Sequence, residues 1–138
     1  MQDWATWLQD ASLDRKAGPG VDVNINEIVD ALKTSKNLND LGQALRLKPN
    51  SPELLGSYAY HLLANAELTE GRKAMGVYHI RQARKLGENI PFVLYRSAQI
   101  EMLLGNQKGA LQFIERAIEL DSKNTEYSDL KKTFLQNN

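Results

Sequence analysis

The chain has 138 residues, of which 17 are basic and 17 are acidic, so its formal net charge at neutral pH is zero. This balance argues against a general nucleic-acid-binding protein, which usually carries a basic excess or a basic stripe. Because cysteine is absent, disulfide bonds, thiolate catalysis and cysteine-ligated metal ions are excluded together.

The N-terminal segment, residues 1–20, predicts an amphipathic helix and a hinge. Apolar side chains recur at helical spacing between residues 3 and 16, and a Gly-Pro-Gly sequence at 18–20 then interrupts the pattern. Three roles stay open for Trp4 and Trp7. They could cap the following helices, occupy a groove of this chain or of a second copy as an autoinhibitory or homodimer contact, or lie on a membrane surface. The acidic polar face of the helix disfavours the third role.

Seven more helices are predicted after residue 20, because apolar side chains recur there at intervals of three and four residues. One start signal is strong: Ser51 can act as N-cap, and Pro52 follows at the first helical position. The predicted helices cover residues 25–34, 38–48, 52–66 and 72–86, then 91 to the Gly-Asn turn at 105–106, from that turn to 121, and 125–136. The sequence therefore predicts an all-α chain of about 7–8 helices without a strand.

An internal repeat is visible in three segments that begin with alanine and continue with aliphatic residues, at Ala44, Ala83 and Ala117. Their spacings are 39 and 34 residues, and the five extra residues of the first fit a longer turn around residues 67–71. Small residues also recur where two paired helices would have to touch. They are Ala98, Ala110 and Ala117 in the last pair and Ala59, Gly76 and Ala83 in the pair before it.

This combination of spacing and small residues resembles the tetratricopeptide repeat (TPR) family, whose unit has about 34 residues. The resemblance implies a right-handed α-α superhelix of helix-turn-helix repeats, each of which needs its neighbours to bury its apolar face. The implied division of the chain is an N-terminal helix and hinge at 1–20 and a TPR-like domain at 21–138, with a degenerate repeat at 25–51, repeats at 52–90 and 91–124, and a capping helix at 125–136.

The resemblance also implies a binding surface, because the first helix of each TPR repeat lines a concave groove. By the groove positions of the family, the partner-binding residues are Glu53, Tyr60, Leu63, Phe92, Tyr95, Arg96, Gln99 and Met102, with Arg72 and Lys73 as charge partners. The alternative for Tyr60, Tyr95 and Met102 is that they pack between neighbouring helices. Chaperone-binding members of the family hold a C-terminal carboxylate with lysine and asparagine. Gly56 and Tyr60 replace these residues here, so that clamp is not expected.

Catalytic and metal-binding chemistry has little support in the sequence. The two histidines, His61 and His79, fall on different helices, and neither has an acidic residue four positions away. A shared metal site would need a third ligand nearby, and no nucleophile elbow or phosphate-cradling glycine loop occurs. We therefore predict no enzymatic activity, no cofactor and no metal. Since no run of 18 apolar residues occurs, we also predict no membrane-spanning segment.

Two hypotheses for the function remain. The first is a protein- or peptide-binding scaffold or adaptor that uses the concave groove of its repeats and has no nucleic-acid partner. The second is a structural or self-associating spacer, as would be found in a larger membrane-anchored or multidomain protein. The sequence does not choose between a cytoplasmic and a periplasmic location.

Overall fold

The computed structural model describes residues 25–65 and 67–136. The predicted N-terminal helix, the hinge at 18–20 and both tryptophans, Trp4 and Trp7, lie outside the described residues. Within them the chain has seven helices and no strand, which confirms the all-α prediction. The helices are α1 (Ile25–Leu32), α2 (Leu38–Leu47), α3 (Pro52–Leu63), α4 (Glu70–Leu86), α5 (Pro91–Leu103), α6 (Gln107–Leu120) and α7 (Thr125–Gln136).

Polar side chains decide where four of the helices begin. Asn37, Ser51, Thr69 and Asn106 precede α2, α3, α4 and α6, and each accepts a hydrogen bond from a backbone N–H two or three residues further on. Such a bond satisfies an N–H group that has no partner within the helix. Helix α4 begins at Glu70, two residues earlier than predicted, because the hydroxyl of Thr69 caps it there.

The turn between α5 and α6 confirms the predicted Gly-Asn turn. Gly105 has a φ of 84°, which is the left-handed region that glycine enters without a steric penalty. The N–H groups of Gly105 and Asn106 donate to the carbonyls of Met102 and Glu101 over 3.1 and 2.8 Å. This is the Schellman arrangement, which satisfies the last carbonyls of a helix and ends it. Helix α6 can therefore fold back and pack on α5.

The helices pack as consecutive hairpins, and neighbouring hairpins contact each other mainly where α3 meets α5, where α2 meets α3, and where α7 packs on α6. Helix α3 packs most extensively on α4, and α5 packs most extensively on α6. Helix α3 also packs on α5 and contacts α1. Side chains from separate hairpins consequently meet where α1, α3 and α5 lie beside one another.

The buried apolar side chains of the described residues form three clusters along the chain. The first joins α1, α2 and α3 around Leu41, the second joins α3, α4 and α5 around Ile80, and the third joins α5, α6 and α7 around Ile114. All six small residues predicted at helix contacts are buried. They are Ala59, Gly76, Ala83, Ala98, Ala110 and Ala117.

Leu63 was predicted to contact a partner, but the structure places it in the core. Its side chain is only 4% exposed, and a Cβ atom added to Gly76 of α4 would lie 2.6 Å from its Cγ atom. Leu63 follows Ala59 by four residues, so both side chains lie on the same face of α3. Because that face packs on α4, Leu63 is not available to a partner.

Candidate functional site

One arginine on α5 lies among aromatic rings from two hairpins. The guanidinium carbon of Arg96 is 4.9 Å from the ring centroid of Tyr60 on α3, and 5.1 and 5.6 Å from those of Phe92 and Tyr95 on its own helix. At these distances the cation is attracted to the electron-rich faces of the rings. Gln99 lies one turn further along α5 and hydrogen-bonds to Arg96. We call Tyr60, Phe92, Tyr95, Arg96 and Gln99 the Arg96 cluster.

Hydrogen bonds hold the guanidinium group in a single orientation. Arg96 donates from Nε to the hydroxyl of Ser57 over 3.2 Å, from Nη1 to Oε1 of Gln99 over 2.8 Å, and from Nη2 to the backbone carbonyl of Lys33 over 3.3 Å. The hydroxyl of Ser57 donates to the same carbonyl of Lys33. These bonds connect the end of α1 with α3 and α5. All three acceptors of Arg96 are neutral, although its side chain is only 6% exposed.

The aliphatic part of Arg96 lies against a glycine of α3. A Cβ atom on Gly56 would be 3.4 Å from Cβ of Arg96 and 3.5 Å from its Cγ, which are ordinary van der Waals distances. The aliphatic part of Arg96 therefore packs on the backbone of α3, and the guanidinium group reaches Ser57 one helix position further on. Gly56, which stands in place of a clamp residue of the chaperone-binding TPR domains, is buried in this contact.

The cluster extends to a second cation and to the last helix. The Nζ atom of Lys33 lies 5.2 Å from the centroid of Phe92, while it also pairs with Asp30 over 3.2 Å. On the other side, the ring centroids of Tyr95 and Tyr127 of α7 are 5.2 Å apart. The surface formed by α3, α5 and the start of α7 therefore combines aromatic rings, an amide and positive charge.

Burial raises the pKa of two tyrosine side chains on this surface. It raises the pKa of Tyr95, against the opposing effect of the Arg96 charge. Burial, reinforced by Asp121 and Glu126, raises the pKa of Tyr127 to about 12. Burial also lowers the pKa of Arg96, but an arginine remains a cation in proteins. At neutral pH the phenols of Tyr95 and Tyr127 are therefore neutral hydrogen-bonding groups, and Tyr95 lies beside the fixed positive charge of Arg96.

The structure brings five of the predicted site residues together and separates the others. Glu53 is half-buried in the first turn of α3, two turns before Tyr60. Met102 is half-buried against the core of α5, α6 and α7. Arg72 lines a cleft beside Tyr58, away from the cluster, and Lys73 lines a shallow exposed depression on α4. Arg72 and Lys73 thus lie outside the Arg96 cluster.

Sequence reasoning missed three residues that contact the cluster. Ser57 lies three residues before Tyr60, and this spacing on a helix was a usable signal because it places both on one face. Tyr127 lies in the predicted capping helix at 125–136, which the family resemblance does not place in the groove. Lys33 contributes its backbone carbonyl as an acceptor for Arg96. A contact of the backbone cannot be recognised from the type of residue in the sequence.

His61 adjoins the cluster and is held neutral. Its ring packs edge-on against Tyr60 at 4.9 Å between centroids, and its Nε2 atom is buried without a hydrogen-bond partner. Burial, followed by the positive charges of Arg96 and Lys36, lowers its pKa from 6.5 to about 4. The Nδ1 atom of the other histidine, His79, lies 2.7 Å from the carbonyl oxygen of Met75. Within residues 25–65 and 67–136, no group of three His, Asp or Glu side chains converges in a way that could hold a metal ion.

The neutral His61 predicts a loss of stability in mild acid. The unfolded chain binds a proton at His61 below pH 6.5, whereas the folded chain does so only near pH 4, so acid favours the unfolded state. After allowance for partial solvation, we expect the free energy of unfolding to fall by about 1 kcal/mol between about pH 7.5 and 5.5. Urea unfolding measures this loss, and a His61→Asn variant should lack it. An NMR titration of the His61 ring with a midpoint near its ordinary value would contradict the prediction.

Comparison of the sequence with protein-family models and with curated proteins found no match. In the described part of the chain, no helix combines the length and the apolar character needed to cross a bilayer. The geometry of the Arg96 cluster is therefore the main observation from which a function can be inferred.

Proposed function

We propose that this chain is a protein- or peptide-binding scaffold of the TPR type and that the Arg96 cluster contacts the partner. The observation that carries the proposal is the arrangement of three half-buried aromatic rings around a hydrogen-bonded arginine on adjacent hairpins. Aromatic residues and arginine dominate the binding energy of protein interfaces. The superhelical arrangement of the repeats belongs to the proposal as well, and it is supported by the buried small residues and by the serial contact of α1, α3 and α5.

The cluster is suited to binding because it is already ordered. Three hydrogen bonds hold Arg96, and the amide of Gln99 donates to the hydroxyl of Tyr95 over 3.3 Å. Ordering a flexible side chain at an interface costs about 0.5–1.5 kcal/mol, and here the fold has largely met that cost before a partner arrives. The half-buried rings still present part of their area, which a partner segment would cover.

The proposal is tested by comparing captured proteins between matched variants. The immobilised chain, a Tyr60→Ala/Tyr95→Ala variant and a Tyr78→Ala control are incubated with lysate of the source cells. Tyr78 is 60% exposed on α4, so the control removes a tyrosine outside the cluster. We expect one or a few proteins to be retained by the parent chain and the control and lost by the double variant. Circular dichroism and thermal unfolding establish that all three chains are folded.

Calorimetry with the purified partner then measures the size of the effect. If the two tyrosines together contribute as much as one interface hot spot, about 2 kcal/mol, the double variant should bind about 30-fold more weakly, and Tyr78→Ala should bind like the parent. Equal capture by the parent and the folded double variant would exclude the cluster as the contact surface. Sedimentation that shows concentration-dependent mass, without any captured protein, would favour the self-associating spacer instead.

A further inference from the structure

A second concave surface lies between α2, α3 and α4. It is a cleft of about 510 Å³, which is within the size range of sites for small ligands. The residues that matter below are Gln43, Arg46, Tyr58, Leu62, Arg72 and Met75. Tyr58 precedes Tyr60 of the Arg96 cluster by two residues, which is more than half a helical turn, so the two side chains leave α3 on different sides. The cleft is therefore separate from the proposed protein-binding surface.

The cleft carries a local positive charge although the chain as a whole is neutral. Arg46 and Arg72 line it, and none of the other described residues that line it is acidic. Within residues 25–65 and 67–136, neither guanidinium group forms a hydrogen bond or an ion pair. Guanidinium groups bind carboxylates through two parallel hydrogen bonds, so two unpaired arginines beside one cleft favour a carboxylate ligand.

The side chain of Gln43 indicates that a ligand of this cleft also donates a hydrogen bond. Its side-chain oxygen is shielded from solvent and accepts no hydrogen bond, which is unfavourable for a polar group. Since Gln43 lines the cleft, rotation of its flexible side chain would present this oxygen to an N–H group of a ligand. A simple carboxylate has no such group, whereas a peptide has one next to its terminal carboxylate.

The remaining lining is apolar and adaptable. Leu62 is buried and Tyr58 is half-buried, while Met75 is 45% exposed. Methionine is flexible and polarisable and fits apolar groups of different shapes. An apolar ligand side chain that covered Met75 and lay beside Leu62 would remove this exposed surface from water.

We propose that the cleft binds the C-terminal residue of a peptide whose last side chain is apolar. The terminal carboxylate pairs with Arg46 and Arg72, the backbone N–H of the last residue donates to Gln43, and the side chain packs on Leu62 and Met75. A single C-terminal residue carries all three groups within a few bonds of one another. The proposal concerns a site separate from the Arg96 cluster and does not depend on the function proposed for that cluster.

The test uses the peptide acetyl-Gly-Ser-Ala-Leu with a free carboxylate and the same peptide with a C-terminal amide. Each is titrated into the ¹⁵N-labelled full chain while amide NMR signals are recorded. We expect saturable shifts at residues of α2 and α4 that line the cleft, and at least about tenfold weaker binding of the amide form. Equal affinity of the two peptides, or no saturable shift up to about 5 mM, would overturn the proposal.

Matched arginine variants locate the carboxylate. Arg46→Gln and Arg72→Gln should each weaken binding of the free peptide about tenfold, because each removes a charge-assisted hydrogen bond. Arg81→Gln, which changes an exposed arginine of α4 outside this cleft, should leave the affinity unchanged. Gln43→Leu should weaken both forms of the peptide. If the peptide still binds both folded arginine variants like the parent chain, its carboxylate lies elsewhere and the proposal is wrong.

Discussion

Replacing Arg96 by alanine is expected to lower the free energy of unfolding by about 3 kcal/mol, because the side chain takes part in packing and in three hydrogen bonds. The substitution removes the group that lies against three rings, and it leaves Oε1 of Gln99 without its donor. It also removes the hydrogen bond from α5 to the carbonyl of Lys33 at the end of α1, while Ser57 of α3 still donates to that carbonyl. Urea unfolding followed by circular dichroism measures the change.

An Arg96→Lys variant separates the shape of the guanidinium group from its charge. Lysine keeps the positive charge but has neither the planar surface nor the fixed fork of donors. We therefore expect Arg96→Lys to lose about 2 kcal/mol, most of the loss seen with alanine. If lysine restored the stability of the parent chain, charge alone would account for the role of Arg96. The proposed preorganisation of the cluster would then lack its basis.

Replacing Gly76 by valine is expected to have a similarly large effect, through overpacking. A Cβ atom at this position would lie 2.6 Å from Cγ of Leu63 and 3.0 Å from each of its Cδ atoms, closer than carbon atoms can approach without displacement. Both residues are buried, so the strain has to be relieved by moving α3 and α4 apart. Overpacking of this kind costs about 1–3 kcal/mol, and we expect the upper end because valine is branched at Cβ. Thermal and urea unfolding measure the loss.

Two further variants show whether the loss at Gly76 comes from this contact. Gly71 lies in the first turn of the same helix, and the nearest atom to an added Cβ is the hydroxyl oxygen of Thr69 at 3.9 Å. Gly71→Ala should therefore stabilise the chain by up to about 1 kcal/mol, through helix propensity alone. In a Leu63→Ala background the added cost of Gly76→Val should shrink, because the clashing atoms are gone. An unchanged cost would show that the steric contact with Leu63 is not the cause.

Much of the helical arrangement was predictable because its determinants are local. The cap at Ser51 and the Gly105-Asn106 turn act within a few residues, and the structure has both. The predicted ends of helices were less accurate, as at α4, where Thr69 had not been recognised as a cap. The small residues were predictable as well, because close contact between helices excludes larger side chains at regular intervals.

The site residues could be predicted only in part. Phe92, Tyr95, Arg96 and Gln99 lie within one helix, so their proximity follows from the helical period. Leu63 follows Ala59 by four residues and Tyr60 by three, so its position fits both the helix contact and the groove, and the packing of α3 on α4 decides between them. The location of Arg72 likewise depends on how α2, α3 and α4 pack together. Their packing places Arg72 in the second cleft.

The sequence by itself determined the seven described helices, most of their ends and the small side chains at which paired helices touch. These features depend on hydrogen bonds and spacings within a few residues. Only the tertiary structure decided that Arg96 is buried among three rings, that its donors reach Ser57 and the carbonyl of Lys33, and that Arg46, Arg72 and Gln43 line one cleft. The partners of Arg96 on α3 and beside α1 are 39 and 63 residues away in sequence, and only the packing of helices brings such distant groups together.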